Sequence, residues 1–475
     1  MLVNDLVPSV HFYDQDFVDV YDRSWVWIDE YWTQGTKENN FVGNYISYPG
    51  QKTFNQSENC MASLFLVYSN QNYSPFPLID YFYGKQEESG AIRSDYSIED
   101  GSPVFDSENP EGVCPPLFAY VEHGFYHKIG NKKRLKEIVE PLEKHFDWLR
   151  ETFRRENGLY SVPSAACMQT NVERPSMYYP VDFNAQLAVN ALYMSAIGDI
   201  LNDKELSFRY KRLYFSLKTR INDMMWDAED QFYYDLDIKE KRIKKKHIGS
   251  YWALLAEIPN EERGDGFIAH LTDPEMFGTE NPFPTIAVSD AEFKEDGRAN
   301  KGAVIPFNTY MVVKGLERYG RFEFARECAI RHLYFILDTL HPNGEEGGDV
   351  WEAYQPMKEG PAAAGNRKEF PRQRYLPMVG IVTITLMIED IIGLDISLPR
   401  KTVDWTMATM EMMGIEKLSL KRNMITILSN KQARGWEVRL ESEKLYYFTI
   451  EILDDKKKKT LPIPSGKCSM LIDKL

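Results

Sequence analysis

The chain has 475 residues, and 56 Lys and Arg against 71 Asp and Glu give it a formal net charge of −15. This acidic balance argues against nucleic acid and anionic membranes as partners, because both bind clustered cations. Hydrophobic residues make up 43% of the chain, which is typical of a globular protein, and no stretch approaches the roughly 18 uninterrupted apolar residues of a membrane span. We therefore expect a globular protein with neither nucleic acid nor a membrane as its partner.

The first 50 residues are interpreted as an N-terminal extension that packs on the main body of the protein. Their pattern predicts a helix over residues 22–34, followed by a loop over residues 44–52. The opening segment, MLVNDLVPSV, has neither the basic nor the apolar region of a signal peptide. The sequence as written therefore favours a cytoplasmic protein, and a periplasmic or secreted one if a signal peptide has been removed.

From residue 51 onwards the helical period dominates. Apolar residues three and four positions apart predict helices over residues 133–153, 182–201, 321–340 and 378–392. Helices are predicted to end near six residues, which recur about every 60 to 70 residues: Asn70, Gly130, Gly198, Pro259, Gly320 and Gly393. A second helix follows most of these turns, and short links between helices favour antiparallel neighbours.

This repeat predicts an all-α fold of six helix hairpins over residues 51–413. Six hairpins could form either an open solenoid or a closed ring. A solenoid needs atypical capping repeats at its two ends, and none is evident in this sequence. We therefore expect the closed ring, an (α/α)6 toroid.

The pattern changes after residue 413. Short alternating runs over residues 424–428, 436–440 and 445–452 are rich in β-branched and aromatic residues and are separated by polar turns. They predict a small antiparallel β domain over residues 414–475.

In such a ring the loops between hairpins line one mouth, and function concentrates on loops held by a rigid scaffold. The loop over residues 340–377 carries Glu352 between Trp351 and Tyr354, after a glycine-rich stretch. A carboxylate beside aromatic rings suits acid–base chemistry, because such surroundings change its pKa. The alternative is a residue at a helix start or in a surface salt bridge.

A second long loop contains Glu173 beside Arg174, followed by Tyr178 and Tyr179. A neighbouring Arg favours the ionised carboxylate, which is unfavourable for a general acid. A structural pair of Glu173 and Arg174 is therefore the alternative interpretation. Asp182 then begins a helix, where N-capping accounts for it.

Two further polar residues are candidates for contact with a ligand. Glu58 lies at the start of the first repeat helix, where a carboxylate also complements the helix dipole. Asn308 has a side chain that can bond a sugar hydroxyl, although the pattern slightly favours a cap or turn role.

The sequence lacks the motifs of several other enzyme classes. A dinucleotide-binding GxGxxG between a strand and a helix, a P-loop, a zinc-binding HExxH and a serine-nucleophile GxSxG are all missing. The 8 His form no metal-spaced cluster, and the 5 Cys form no CxxC pair. Neither a cofactor nor a metal is therefore expected, whereas cleavage of a glycosidic bond needs only two well-placed carboxylates.

Three segments resemble one enzyme family and occur in its order. They are MMWDAEDQFYYDLD at residues 224–237, VIPFNTYMVVKGLERYG at residues 304–320 and WEAYQP at residues 351–356. Over residues 51–394 the chain resembles the six-hairpin glycosidases, in the branch of trehalase, processing α-glucosidase I and the mannosylglycerate and glucosylglycerate hydrolases. The resemblance implies a toroid that acts on a carbohydrate, with Glu352 as the general base.

The chain departs from this family at two motifs. Where the family has QWD, this chain has Gln56, Ser57 and Glu58. The stretch that carries the family's general-acid Asp aligns with residues 172–175, so that Glu173 takes the position of the general acid. Another register of this alignment places Gln169 at that position. The substrate-binding residues implied by the resemblance and by the loops are Glu58, Gln56, Gln169, Arg174, Tyr178, Tyr179, Asp182, Asn308, Trp351 and Tyr354.

The sequence thus favours an inverting, exo-acting glycoside hydrolase for an α-linked sugar or small glycoconjugate, with Glu352 as base and Glu173 as acid. The altered motifs also fit a carbohydrate-binding protein without turnover. A lyase or epimerase on the same toroid is the third alternative, with Tyr178 or Tyr179 as base and Arg174 beside a uronate. The sequence leaves the identity of the sugar and the oligomeric state open.

Overall fold

The structure is a computed structural model that describes residue 3 and residues 7–167, 177–344, 347–365, 370–420, 423–433, 435–453, 457–463 and 466–472. Its helices are α1 Gln15–Glu30, α2 Gln56–Leu66, α3 Phe76–Gly84, α4 Phe118–Ile129, α5 Lys132–Phe153, α6 Val181–Leu201, α7 Lys204–Arg220, α8 Trp252–Leu255, α9 Glu261–Ala269, α10 Pro306–Arg318, α11 Phe322–Leu340 and α12 Leu376–Gly380. Helix α12 continues directly into a π-helical segment, Ile381–Ile391. None of these described helices is both long and apolar enough to cross a membrane.

The strands are short before residue 393 and longer after it. They are β1 Ser9–His11, β2 Trp32–Gln34, β3 Asn44–Ile46, β4 Thr53–Asn55, β5 Asp95–Ser97, β6 Val162–Pro163, β7 Met177–Tyr178, β8 Trp226–Asp227, β9 Phe232–Tyr233, β10 Leu394–Ser397, β11 Thr402–Met407, β12 Met413–Leu420, β13 Asn423–Gln432, β14 Gly435–Ser442, β15 Tyr446–Ile452, β16 Lys457–Ile463 and β17 Gly466–Ile472.

The predicted hairpin turns are clearest at α4–α5 and α6–α7. Gly130 adopts a left-handed φ of 70° after α4, and the side chain of Asn131 then caps α5 by accepting from the backbone N–H of Arg134. Asn202 and Asp203 act in the same way between α6 and α7. Residues that tolerate positive φ, followed by a capping Asn or Asp, reverse the chain within a few residues.

Three predictions about the helices differ from the structure. The first helix begins at Gln15 and ends at Glu30, earlier than residues 22–34. Helix α6 passes through Gly198, which does not end it. A Cβ at Gly198 would lie 2.5 Å from the backbone nitrogen of Ser207, so glycine there permits close packing of α7. After Gly393 the chain forms strand β10 where a second helix was expected.

Six helices contact one another in a cyclic order. Helix α2 contacts α4, α4 contacts α6, α6 contacts α8, α8 contacts α10, α10 contacts α12 and its π-helical continuation, and these contact α2 again. Other helices pack on these six, including α3 on α2, α5 on α4, α7 on α6 and α11 on α10. Helix α1, from the N-terminal segment, packs on the π-helical segment and on α11.

The C-terminal part is built from two sheets. Their strand orders are β1-β12-β13-β14-β17 and β10-β11-β15-β16. The predicted strands at residues 424–428, 436–440 and 445–452 are confirmed as parts of β13, β14 and β15. Strands begin at Leu394, before the predicted start at residue 414, and β11 pairs with β15 in parallel, although only antiparallel pairing was expected.

Replacement of Gly198 by Leu is expected to lower the thermal midpoint of unfolding, because the new side chain would force α7 away from α6. Overpacking of this kind costs about 1 to 3 kcal/mol. The matched control is Gly84→Leu, since a Cβ at that helical glycine meets no atom within 4 Å. Equal midpoints for the two variants in a thermal denaturation series would show that the close approach at Gly198 does not constrain the fold.

Candidate active site

Two cavities lie at opposite ends of the cyclic set of helices. The front cavity, of about 470 Å³, lies at the N-terminal ends of α2, α10 and α12, and Glu58, Asn308 and Glu352 line it. The rear cavity, of about 610 Å³, lies at the C-terminal parts of α4, α10 and the π-helical segment. The front cavity is the smaller one, but it brings together three residues that the sequence proposed for chemistry, and we therefore place the candidate active site there.

Glu352 is held by one residue of the adjacent chain segment. The Nε and Nη2 atoms of Arg372 donate to Oε2 and Oε1 of Glu352 at 2.8 and 2.9 Å. The backbones of the two residues are also joined, because the N–H of Glu352 donates a hydrogen bond to the carbonyl of Arg372 at 2.8 Å. A bidentate guanidinium contact fixes the plane of the carboxylate as well as its position.

Glu58 lies on the other side of the same guanidinium. Its backbone N–H is capped by the side chain of Asn55, at the start of α2. Its carboxylate accepts from the hydroxyl of Tyr48 at 2.8 Å and from the hydroxyl of Tyr375, and Nη1 of Arg372 lies 3.3 Å from Oε1. Burial raises the pKa of Glu58, and Arg372 and the two hydroxyls offset part of this rise.

Arg372 therefore links the two carboxylates. Its guanidinium also stacks on the ring of Tyr375, 3.7 Å from the ring centroid. Burial alone would lower the pKa of Arg372, but Tyr375, Glu352 and Glu58 outweigh it and raise the pKa above its ordinary value. No local sequence signal pointed to Arg372, Tyr48 or Tyr375, because their contacts with Glu58 join residues that are distant in the chain.

Trp351 and Tyr354 do not form walls around the carboxylate of Glu352. Tyr354 is fully buried, and its hydroxyl accepts from the backbone N–H of Trp351 at 3.0 Å. Burial raises the pKa of Tyr354. Both aromatic residues are absent from the described lining of the front cavity, where Tyr375 and Phe307 supply rings instead. Trp351 and Tyr354 thus stabilise the loop that carries Glu352.

Four other predicted residues lie away from the described cavity wall. Gln56 is buried and donates through its amide to the carbonyl of Arg93. The hydroxyl of Tyr178 donates to the thiol of Cys167 at 3.2 Å. Tyr179 bonds through its backbone to Leu236, and Asp182 lies fully buried in the first turn of α6. In the structure these four residues are packed among, or bonded to, other residues of the protein.

Glu173, Arg174 and Gln169 lie outside the described residues. The segment that contains them follows Cys167, which lines the front cavity together with Ala165 and Ala166. The front cavity also contains Asp95, which the sequence did not suggest as a candidate. Its Oδ1 accepts from Thr53 and Asn55 at 2.9 and 3.1 Å. Within the described part of the chain, no group of three or more His, Cys, Asp or Glu side chains could hold a metal ion.

Two family models match this chain in the order of its two parts. Residues 164–368 match the mannosylglycerate hydrolase MGH1-like glycoside hydrolase domain, and residues 393–475 match the trehalase C-terminal domain. An uncharacterized protein of Borreliella burgdorferi is 48% identical over 478 residues, covering 99% of each chain. The chain and this relative belong to one family within the six-hairpin glycosidase superfamily. The two family models indicate a glycoside hydrolase.

More distant members of the superfamily match parts of the chain. A cytosolic neutral trehalase of Kluyveromyces lactis is 25% identical over 195 residues, which cover 39% of this chain and 26% of that enzyme. Among solved structures, a GH63 mannosylglycerate hydrolase from Thermus thermophilus, in complex with glucose, superposes with a TM-score of 0.62. It is 14% identical and covers 77% of this chain and 99% of its own, so this likeness concerns the fold alone.

Replacement of Arg372 by Met is expected to destabilise this glycosidase, because Glu58 and Glu352 would then lie together without a cation. Loss of one partner of a fully buried pair costs about 3 to 5 kcal/mol, and we expect about 1 to 3 kcal/mol here because Arg372 is partly exposed. The control is Arg298→Met, which removes an exposed pair with Asp296. Chemical denaturation of both variants checks this, and equal losses of stability would contradict it.

Glu58 is expected to make stability depend on pH in a defined direction. Its raised pKa in the folded chain contributes stability that is present below the ordinary value of 4.5 and is lost as pH rises through the raised value. Glu58→Gln cannot titrate, so the stability of the wild type relative to this variant should fall with rising pH.

Glu87→Gln provides a control of opposite sign. A hydrogen bond from Arg93 lowers the pKa of Glu87, so the stability of the wild type relative to this variant should rise with pH. Thermal midpoints of the three proteins across the acidic and neutral range measure both trends. A flat difference between wild type and Glu58→Gln would disprove the pKa shift at Glu58.

Proposed function

We propose that this chain is an inverting, exo-acting glycoside hydrolase for an α-linked sugar or small glycoconjugate. Glu352 is proposed as the general base and Glu173 as the general acid. The observation that carries the proposal is the carboxylate of Glu352, which lies at the wall of a cavity and is oriented by Arg372. Trehalase and mannosylglycerate hydrolase, the names of two relatives, support a small glycoside as the substrate.

The contacts of Glu352 are compatible with activation of a water molecule. Each carboxylate oxygen can accept more than one hydrogen bond, so the contacts from Arg372 leave capacity for a water on the cavity side. Inversion requires about 6.5 to 9.5 Å between the two catalytic carboxyl groups, with the water between Glu352 and the sugar. A base that is already oriented avoids the entropic cost of ordering it during the reaction.

The position of Cys167 supports Glu173 as the acid. Cys167 lines the front cavity, and strands β6 and β7 on either side of residues 164–176 pair with each other. The segment with Glu173 therefore leaves and re-enters the described structure near the cavity. A carboxyl group there would protonate the leaving oxygen while Glu352 activates water on the opposite face of the sugar.

We further propose that the cyclic helices form a closed (α/α)6 toroid. The sequence placed this toroid at residues 51–413, with residues 1–50 packed on it. In such a toroid, the π-helical segment would be part of the inner helix of the sixth hairpin, which needs an outer helix packed on it. Helix α1 packs on this segment and therefore supports the arrangement. The strands that begin at Leu394 support an earlier start for the β domain than residue 414.

One observation favours a carbohydrate-binding protein without turnover. Arg372 donates three hydrogen bonds to Glu352, two from its side chain and one from its backbone N–H. These three donors occupy part of the hydrogen-bonding capacity that the carboxylate would need to hold and activate a water molecule. Binding of sugar without its hydrolysis would support this second function.

The deciding measurement is sugar release from a panel of α- and β-linked glycosides by the wild type and by Glu352→Gln. Loss of a general base is expected to lower kcat by about 10²- to 10⁴-fold without preventing binding. Glu359→Gln is the matched control, since Glu359 is an exposed residue of the same loop. Equal turnover by wild type and Glu352→Gln would refute the role of Glu352. NMR of the first product formed distinguishes inversion from retention.

A further inference from the structure

The rear cavity lies where the helical part meets the C-terminal sheets. Its walls come from α4, α10 and the π-helical segment on one side and from strands β10, β11 and β15 on the other. Its volume of about 610 Å³ falls within the range of roughly 300 to 1,000 Å³ that is usual for small-molecule sites. The residues proposed for catalysis do not contribute to its described lining.

One part of the wall offers hydroxyl and imidazole groups. The hydroxyls of Tyr120 and Tyr310 lie 2.5 Å apart, and the ring of Tyr193 packs edge-on against Tyr120. His123 and His127 lie one helical turn apart on α4, with their ring centroids separated by 4.5 Å. These five side chains present rings and hydrogen-bonding groups to the same space.

The two imidazoles are neutral in the ordinary pH range. Burial, followed by the neighbouring His127 and by Arg318, lowers the pKa of His123 to about 3. Burial, followed by Arg400, lowers the pKa of His127 to about 4. A neutral imidazole has one donor and one acceptor nitrogen, which is the combination that a hydroxyl group also has.

Two lysines of the wall are paired with its carboxylates. Nζ of Lys314 lies 2.7 Å from Asp390, 2.9 Å from Glu389 and 3.3 Å from Glu317. Nζ of Lys128 lies 3.4 Å from Glu389. Burial and the nearby Glu317 raise the pKa of Asp390 well above its ordinary value. The whole lining holds five Lys and Arg against six Asp and Glu, so the charges of the wall nearly balance and the cavity does not require a charged ligand.

We propose that the rear cavity is a second carbohydrate site, which takes a neutral mono- or disaccharide. Sugar hydroxyls both donate and accept hydrogen bonds. They can therefore bond to the tyrosine hydroxyls, to the neutral imidazoles and to the charged groups of the wall. The C–H faces of a sugar ring can pack on aromatic faces, and the half-buried rings of Tyr120 and His123 lie in the wall. Because the carboxylates of the wall match its cations, the wall offers no excess positive charge to a free inorganic anion. This site does not depend on hydrolysis in the front cavity.

Gly124 provides a direct test, because it lines the rear cavity within α4 and a Cβ there would meet no atom within 4 Å. Gly124→Leu fills part of the cavity, and Leu is a better helix former than Gly, so the variant should fold. Gly84→Leu is the matched control, since Gly84 is helical, unobstructed and outside the described lining of both cavities.

The measurement is hydrogen–deuterium exchange with and without D-glucose or trehalose, in the Glu352→Gln background to prevent turnover. We expect sugar to protect peptides from residues 118–129 and 381–397, with loss of that protection in Gly124→Leu and its retention in Gly84→Leu. Inorganic phosphate is the comparison probe and should give no protection there.

Three outcomes would overturn the second site. They are protection by sugar confined to front-cavity peptides, rear protection that survives Gly124→Leu, and rear protection by phosphate without protection by sugar. Failure of glycoside hydrolysis together with intact rear protection would reject the proposed function alone. Hydrolysis without rear protection would reject the second site alone.

Discussion

A helix that is buried on every side needs neighbours around its whole circumference, and this constraint organises the molecule. In α2 all but one of the residues from Gln56 to Leu66 are buried, and in α6 the polar residues Asn184, Gln186 and Asn190 are buried with the apolar ones. Such helices contact one another in a cycle and require a second layer outside it. Residues near the ends of these helices line both described cavities, and polar groups are gathered there.

The guanidinium of Arg372 ties this arrangement to the candidate active site. It contacts Glu352 on a long loop and Glu58 on α2, and it stacks on Tyr375 immediately before α12. Tyr48, from the N-terminal segment, completes the group through Glu58. Tyr48 and Glu58 are far from Arg372 in the chain, and they come close to it where α12 packs against α2. The geometry of the proposed base therefore depends on the packing of the whole helical part.

Sequence patterns predicted the features that depend on neighbours in the chain. The apolar periods identified α5, α6 and α11 almost to the residue, and Gly130 marked a real turn, because helix formation and capping are local. Gly198 lies three residues before the end of α6 and does not itself end the helix, since a glycine required by a crossing helix looks the same in the sequence as one that ends a helix. Glu352 could be predicted from its loop and from the resemblance of WEAYQP, whereas Arg372 and Tyr48 could not, because nothing local distinguishes them.

The sequence by itself determined the helical repeat, the change to strands in the C-terminal part, and the carboxylates that are available for chemistry. It did so because periodicity, turn residues and composition act over a few residues. Only the tertiary structure decided that Glu58 and Glu352 share one cation, that Trp351 and Tyr354 support a loop and do not line the front cavity, and that a second cavity forms against the sheets. Those outcomes depend on which distant segments come into contact, since burial and electrostatic pairing are properties of the folded chain.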